Sequence, residues 1–294
     1  MGGLFGGGRK EERRPQLCPA CGTLVGSTAT KCHQCGASLT FGMAAATRSL
    51  SRLMPTESPV TYGILTLSCL LYAATLLATI RGSGLQAPGG GGLGALMGLG
   101  GIDINVLIRF GASVRWPYDL LQPWRLVMAT FLHGSLLHIG FNMWVLMDVG
   151  PQLEELYGSA RYFFIYVLTG IGAYIVSSLL GGHVSIGGSG ALLGLIGVML
   201  AMTMGHKSAA MQMLRSQLIR WLVYIAILGF MFSGTDKYAH AGGLISGFLL
   251  GRIMVARPPM SDQEKTRATL LGWTTAFVVV ASLGITAYGI IATR

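Results

Sequence analysis

Charged side chains are scarce in this sequence. Asp, Glu, Lys and Arg supply 11% of its 294 residues, less than half of the roughly 25% found in a soluble domain. Acidic groups are the scarcer sign, 11 against 21 basic ones. So little charge argues against a soluble globular enzyme. Strict alternation of apolar and polar residues is missing too. The apolar residues, 52% of the chain, gather in long runs instead, as in membrane proteins. The opening MGGLFGGGRK lacks the apolar h-region of a cleavable signal peptide. Gly6 stands where a myristoylation signal needs Ser or Thr, so residues 1–15 are expected to form a flexible tail.

What is present is a set of seven apolar runs, near 59–80, 126–149, 160–180, 189–205, 216–233, 237–255 and 269–291. Each is long enough to span a hydrocarbon core about 30 Å thick. The expected fold class is therefore an all-α polytopic membrane protein. With the N-terminus placed in the cytoplasm, fifteen Lys and Arg residues fall inside and six outside. That is the bias of the positive-inside rule. The net charge of +10 is then explained by the bilayer and calls for no nucleic acid.

Ahead of the first run stand two matching knuckles, Cys18-Pro-Ala-Cys21-Gly22 and Cys32-His-Gln-Cys35-Gly36. Four thiolates complete a tetrahedral zinc shell, and each CxxC turn offers two sulfurs to one ion. A glycine after each pair suits a turn that needs positive φ. Paired CxxC spacing of this kind reads as a zinc site; two disulfides would require an oxidising compartment, against a cytoplasmic N-terminus. Residues 16–40 are thus expected to be a zinc-ribbon-like module, too small to fold without its structural metal. His33 is redundant beside four cysteines. A binding partner for the module is conceivable, but the sequence names none. The fifth cysteine, Cys69, is expected to be a small packing residue in the first run.

Residues 41–58 read as a linker. The connection 81–125, with its stretch GSGLQAPGGGGLGALMGLGG, reads as a flexible loop partly dipping into the interface.

Ionisable and amide side chains at membrane depth are expensive and mark candidate functional sites. Few occur here, and they cluster. The second run contains His133, His138 and Asn142; the last two are four apart and share a helical face. The fourth run opens with Gly187-Gly188-Ser189-Gly190-Ala191, where flanking glycines leave the hydroxyl unshielded. The sixth carries Ala239-His240-Ala241-Gly242-Gly243, followed by Gly247 and Gly251. Gly243, Gly247 and Gly251 form a small-xxx-small ridge, and Gly190 with Gly194 forms another. Close packing of these two helices would bring Ser189 and His240 together. Asp236 is expected to cap the sixth helix rather than complete a triad, and His183 to be an exposed loop residue.

The stretches WRLVMATFLHGSLLHIGFNMW, GGSGALLGLIG and TDKYAHAGGLISGFLLG resemble, in order, the characteristic blocks of the rhomboid intramembrane serine proteases. Trp124, Arg125, Glu154, Tyr157 and Gly158 match family positions as well. The resemblance covers about 59–256 and implies a rhomboid-like six-helix catalytic domain there. Residues 257–294 would add a cytoplasmic connection and a seventh C-terminal transmembrane helix. It implies a serine endopeptidase in which Ser189 is the nucleophile and His240 its base, a dyad without a carboxylate. It also implies an oxyanion hole from His138, Asn142 and the Ser189 backbone N–H. The implied partners are transmembrane protein substrates and the lipid bilayer, and catalysis needs no cofactor. His133, Trp124, Arg125 and Glu154 are expected to hold loops and helix ends. One departure stands out: Leu193 occupies a position where active relatives commonly carry Phe or Tyr against the catalytic imidazole.

The alternative is a catalytically inactive rhomboid-like membrane scaffold or binding protein, although such relatives usually lack the Ser or the His. A transporter would show charged residues along a path or repeated halves. The soluble hydrolase elbow GxSxG is not met, because Ala191 occupies its last position.

Overall fold

The computed structural model describes residues 16–17, 23–26, 29–34, 58–83, 101–231 and 234–292. The chain divides into two compact units, 1–56 and 57–294.

In the first unit, β1 (Gln16–Leu17) pairs antiparallel with β2 (Leu24–Val25), Gln16 opposite Val25. Val25 and Cys32 are buried together. Cys18, Cys21 and Cys35 of the expected zinc site lie outside the described residues, as do most of the 41–58 linker and the glycine-rich segment 84–100.

The second unit is helical: α1 (Pro59–Ser83), α2 (Ile104–Arg109), α3 (Tyr118–Leu121), α4 (Trp124–Met128), α5 (Leu136–Tyr157), α6 (Ser159–Leu180), α7 (Ser189–Thr203), α8 (Ala209–Met231), α9 (Lys237–Ile253) and α10 (Asp262–Ala292). Among the described residues, α1, α6, α8 and α10 are long and apolar enough to cross a membrane by length and composition. The other three apolar runs also contain helices, of 22 residues in α5, 15 in α7 and 17 in α9.

The centre of the unit is α7, packed against α6, α8, α9 and α5. The two glycine ridges meet there. A Cβ on Gly243 would collide with the Gly190 carbonyl, one on Gly247 with the Gly194 carbonyl, and one on Gly251 would come to 2.7 Å from the Val198 oxygen. Helices α7 and α9 therefore touch backbone to backbone, which any larger residue would prevent. Gly190 and Gly194 leave equally little room on the α6 side, against Ala173 and Thr169. At the other end of the bundle, the buried Glu154 carboxylate on α5 accepts the backbone N–H groups of Val60 (2.9 Å) and Thr61 (2.8 Å). It also accepts the hydroxyls of Thr61 (2.8 Å) and Ser159 (2.6 Å). One carboxylate thus satisfies orphan donors of α1 and favours its positive dipole end.

Three expectations need correction. The second apolar run is not one helix from 126; α4 stops at Met128 and α5 begins only at Leu136, with the Ser135 hydroxyl accepting the His138 N–H at 3.2 Å as N-cap. Hydropathy reports burial, and a mostly buried non-helical stretch between 129 and 135 looks as apolar as a helix. His133 accordingly lies off the helix that carries His138. The described part of the long connection, 101–125, is folded rather than a flexible loop. Asp103 caps α2 through the N–H groups of Asn105 and Val106, and Arg125 donates to the carbonyls of Ile108 (2.7 Å) and Ala112 (3.0 Å). Cys69 is exposed on α1, so it is not the packing residue its size suggested. The seventh apolar run belongs to a longer helix, 31 residues from Asp262. Ser261 and Glu264 start it as a reciprocal capping box, each side chain accepting the other's backbone N–H.

Candidate active site

Ser189 is the first residue of α7, and His240 lies in the first turn of α9. The α7–α9 contact brings Ser189 Oγ within 2.8 Å of His240 Nε2. Gly187 makes the approach to Ser189 possible in two ways. Its φ of +127° is left-handed, and a Cβ there would stand 2.6 Å from His138 Nε2, so only glycine fits.

Asp236 is the N-cap of α9. One carboxylate oxygen accepts the N–H groups of Tyr238 (3.0 Å) and Ala239 (2.9 Å), and the other accepts the Ser177 hydroxyl. Its hydrogen bonds go to the helix end and to α6 rather than to the imidazole. His183 is exposed, its ring bonded to the Gly181 carbonyl at 2.8 Å.

His138 and Asn142, on successive turns of α5, line the same cavity as Ser189 and His240. The cavity has a volume of about 460 Å³ and is also walled by Phe141 of α5 and by Ile225 and Leu228 of α8. Gly134 N–H faces His138 Nδ1 in a long contact of 3.5 Å, which favours the tautomer protonated at Nε2. Asn142 is 1% exposed, and its side-chain nitrogen has no hydrogen-bond partner. A buried amide donor left unpaired costs about 1–3 kcal/mol, which marks Asn142 as a residue to test at the cavity it shares with Ser189.

A profile of the Rhomboid domain matches residues 120–257, the stretch that carries all four of these side chains. The rhomboid relative YdcA of Bacillus subtilis (strain 168) is 33% identical over 138 residues, covering 46% of this chain and 68% of that protein. This chain belongs to the rhomboid family. Rhomboid protease GluP of the same strain is 32% identical over 149 residues, 51% of this chain and 29% of GluP. RHOMBOID-like protein 5 of Arabidopsis thaliana is 36% identical over 167 residues, 54% of this chain and 52% of the relative. Against several of these curated relatives, the match spans about half of their length or less. With its apolar helices, this rhomboid is a multi-pass integral membrane protein.

The loop before Ser189 is held by residues that sequence reasoning either missed or gave a vaguer role. His133, fully buried, accepts the Gly188 N–H at Nε2 (3.5 Å) while Nδ1 faces the Phe131 carbonyl at 3.2 Å. Its ring stands edge-on to His138 with centroids 5.1 Å apart. The Tyr174 hydroxyl of α6 donates to the Gly187 carbonyl at 2.7 Å, and the Gly187 N–H donates to Ala129 at 2.9 Å. Ser185 pairs with Ser113 through two backbone bonds of 2.9 and 3.1 Å. A signal for Tyr174 existed: a buried phenol usually finds an acceptor. For Ser113 there was none, since its part is played by its backbone.

Proposed function

We propose that this rhomboid is an intramembrane serine endopeptidase that cleaves transmembrane segments of other membrane proteins. The observation that carries the reading is the 2.8 Å contact between Ser189 Oγ and His240 Nε2, set on a cavity that His138 and Asn142 also line. The relative GluP, named a rhomboid protease, supports it.

In this reading the neutral imidazole of His240 takes the Ser189 proton as Oγ attacks the scissile carbonyl. The developing oxyanion accepts hydrogen bonds from the Ser189 backbone N–H, Asn142 Nδ2 and His138 Nε2. His240 then returns the proton to the leaving amine, and water releases the acyl-enzyme by the same steps in reverse roles. The lipid bilayer delivers the substrate, a helix that unwinds readily at its cleavage site. Seven spans with a cytoplasmic N-terminus complete the arrangement. In the first unit, Cys18, Cys21, Cys32 and Cys35 hold one structural zinc that takes no part in catalysis. The burial of Cys32 beside Val25 suits a ligand thiolate shielded from solvent.

The deciding experiment is labelling of the purified protein with a serine-directed fluorophosphonate, followed by cleavage of a transmembrane reporter in proteoliposomes. Labelling and cleavage are both expected, and both should vanish in Ser189→Ala. Folded protein that neither labels nor cleaves would favour an inactive membrane scaffold instead.

A further inference from the structure

The last helix, α10, lies outside the stretch matched by the Rhomboid domain, which ends at 257. Its packing nevertheless leads to the loop before Ser189. In its first half Gly272 lies against Ala160 of α6, where a Cβ would have only 2.8 Å. Nearer its C-terminus Thr286 is 7% exposed, with a hydroxyl that has no hydrogen-bond partner. That hydroxyl would sit 3.3 Å from a Cβ on Gly111, and Met128 would sit 2.8 Å from the same Cβ. Gly111 has φ of +96°, so it is a tight turn packed against both α4 and α10 with no room for a side chain.

The two segments meeting at this contact are the ones from which the nucleophile loop hangs. The chain just after Gly111 runs through Ala112, whose carbonyl is held by Arg125, to Ser113, which pairs with Ser185. Directly after Met128 comes Ala129, whose carbonyl receives the Gly187 N–H. Ser185 and Gly187 lead straight into Ser189. The contact is made by shape alone, because the Thr286 hydroxyl bonds to nothing.

We propose that the Thr286 end of α10 is a positioning element for Ser189. By backing the turn at Gly111 and the end of α4, it fixes the height of the 185–188 segment. It thereby fixes the position of the Ser189 hydroxyl and backbone N–H relative to His240. The proposal rests on Ser189 being the nucleophile, and it gives the added helix a role in the site without contact with substrate.

The test uses the full chain in detergent and in proteoliposomes. Thr286→Leu, which crowds Gly111, and Thr286→Ala, which leaves a gap there, should each slow fluorophosphonate labelling and kcat at unchanged KM. A fall of about tenfold is expected for Thr286→Leu, below the roughly 10²-fold that a 1 Å misplacement can cost. Thr286→Val, which keeps the shape and drops only the unpaired hydroxyl, should restore the parent rate. Gly272→Val, about four turns away on the same helix, should lower Tm but leave the labelling rate unchanged. Amide hydrogen exchange of the peptide covering 183–190, measured in a Ser189→Ala background, should be faster with Thr286→Leu. That readout holds whether or not the protein is a protease; absence of parental labelling would instead overturn the protease reading. Equal slowing by Gly272→Val and Thr286→Leu would reduce the effect to general stability and overturn the proposal. Parent-like labelling and exchange in both Thr286→Leu and Thr286→Ala would overturn it as well.

Discussion

Asp148 of α5 accepts the indole N–H of Trp221 on α8 at 2.6 Å. The same oxygen also accepts the Gln217 amide at 2.8 Å. Trp221 in turn stands edge-on to Trp144, with ring centroids 5.1 Å apart. A half-buried carboxylate thus clasps two helices through neutral donors, one turn beyond the aromatic contact. Trp221→Phe keeps the ring and removes the donor. A hydrogen bond to a charged group contributes about 1.5–3 kcal/mol, and the lower end applies at a site only half-buried. The expected outcome is a lower Tm for the detergent-purified protein, with Asp148→Leu in the Trp221→Phe background adding less than it does alone. Full additivity of the two changes would mean that the clasp is not a coupled unit.

The dyad makes a sharper demand on activity. Ser189→Ala and His240→Ala should each abolish cleavage of a transmembrane reporter, and the double variant should be no worse, since residues acting as a unit are not additive. Reporter cleavage at the parent rate in either single variant would remove that residue from the mechanism.

Asn142→Ala and His138→Ala test the oxyanion donors. Each should slow turnover by about 10²-fold, the usual consequence of losing one such donor. Fluorophosphonate labelling should be affected less than turnover. If both variants turn over like the parent, the donors are other groups.

Leu193 lies one helical turn after Ser189 and is 4% exposed. An aliphatic side chain there forgoes the roughly 0.5–1.5 kcal/mol that a good aromatic contact adds. Leu193→Phe should keep or raise activity, and Leu193→Ala should lower it by opening a gap near the dyad. Parent-level activity and Tm in Leu193→Ala would show that this side chain does not support His240.

The N-terminal module makes a prediction separable from proteolysis. Metal analysis should find about one zinc per chain, as a four-thiolate site requires. Cys18→Ser combined with Cys21→Ser should lose it while reporter cleavage persists. Loss of cleavage in that variant, with the helical unit still folded, would show that the two are coupled.

The sequence by itself determined the membrane class and the candidate site. In a chain so poor in polar side chains at membrane depth, Ser189, His240, His138 and Asn142 stand out because each is costly to bury. The glycine spacings forecast the α7–α9 contact because a missing Cβ is a local property that survives in any context. What only the tertiary structure decided is how the site is held. The break between Met128 and Leu136 is invisible to hydropathy, because a buried loop satisfies its backbone through partners distant in sequence and is itself as apolar as a helix. Those partners are the Ser113 backbone, Tyr174, His133 and, one layer further out, Gly111 and Thr286. They come from four separate stretches of chain, around 111–113, 133, 174 and 286, which nothing in the sequence ties to one another. The bonds of Tyr174, His133 and Ser113 to the segment before Ser189, and the packing of Thr286 on Gly111 behind it, exist only in the folded chain. A hydrogen bond between remote backbone groups leaves no mark on residue type.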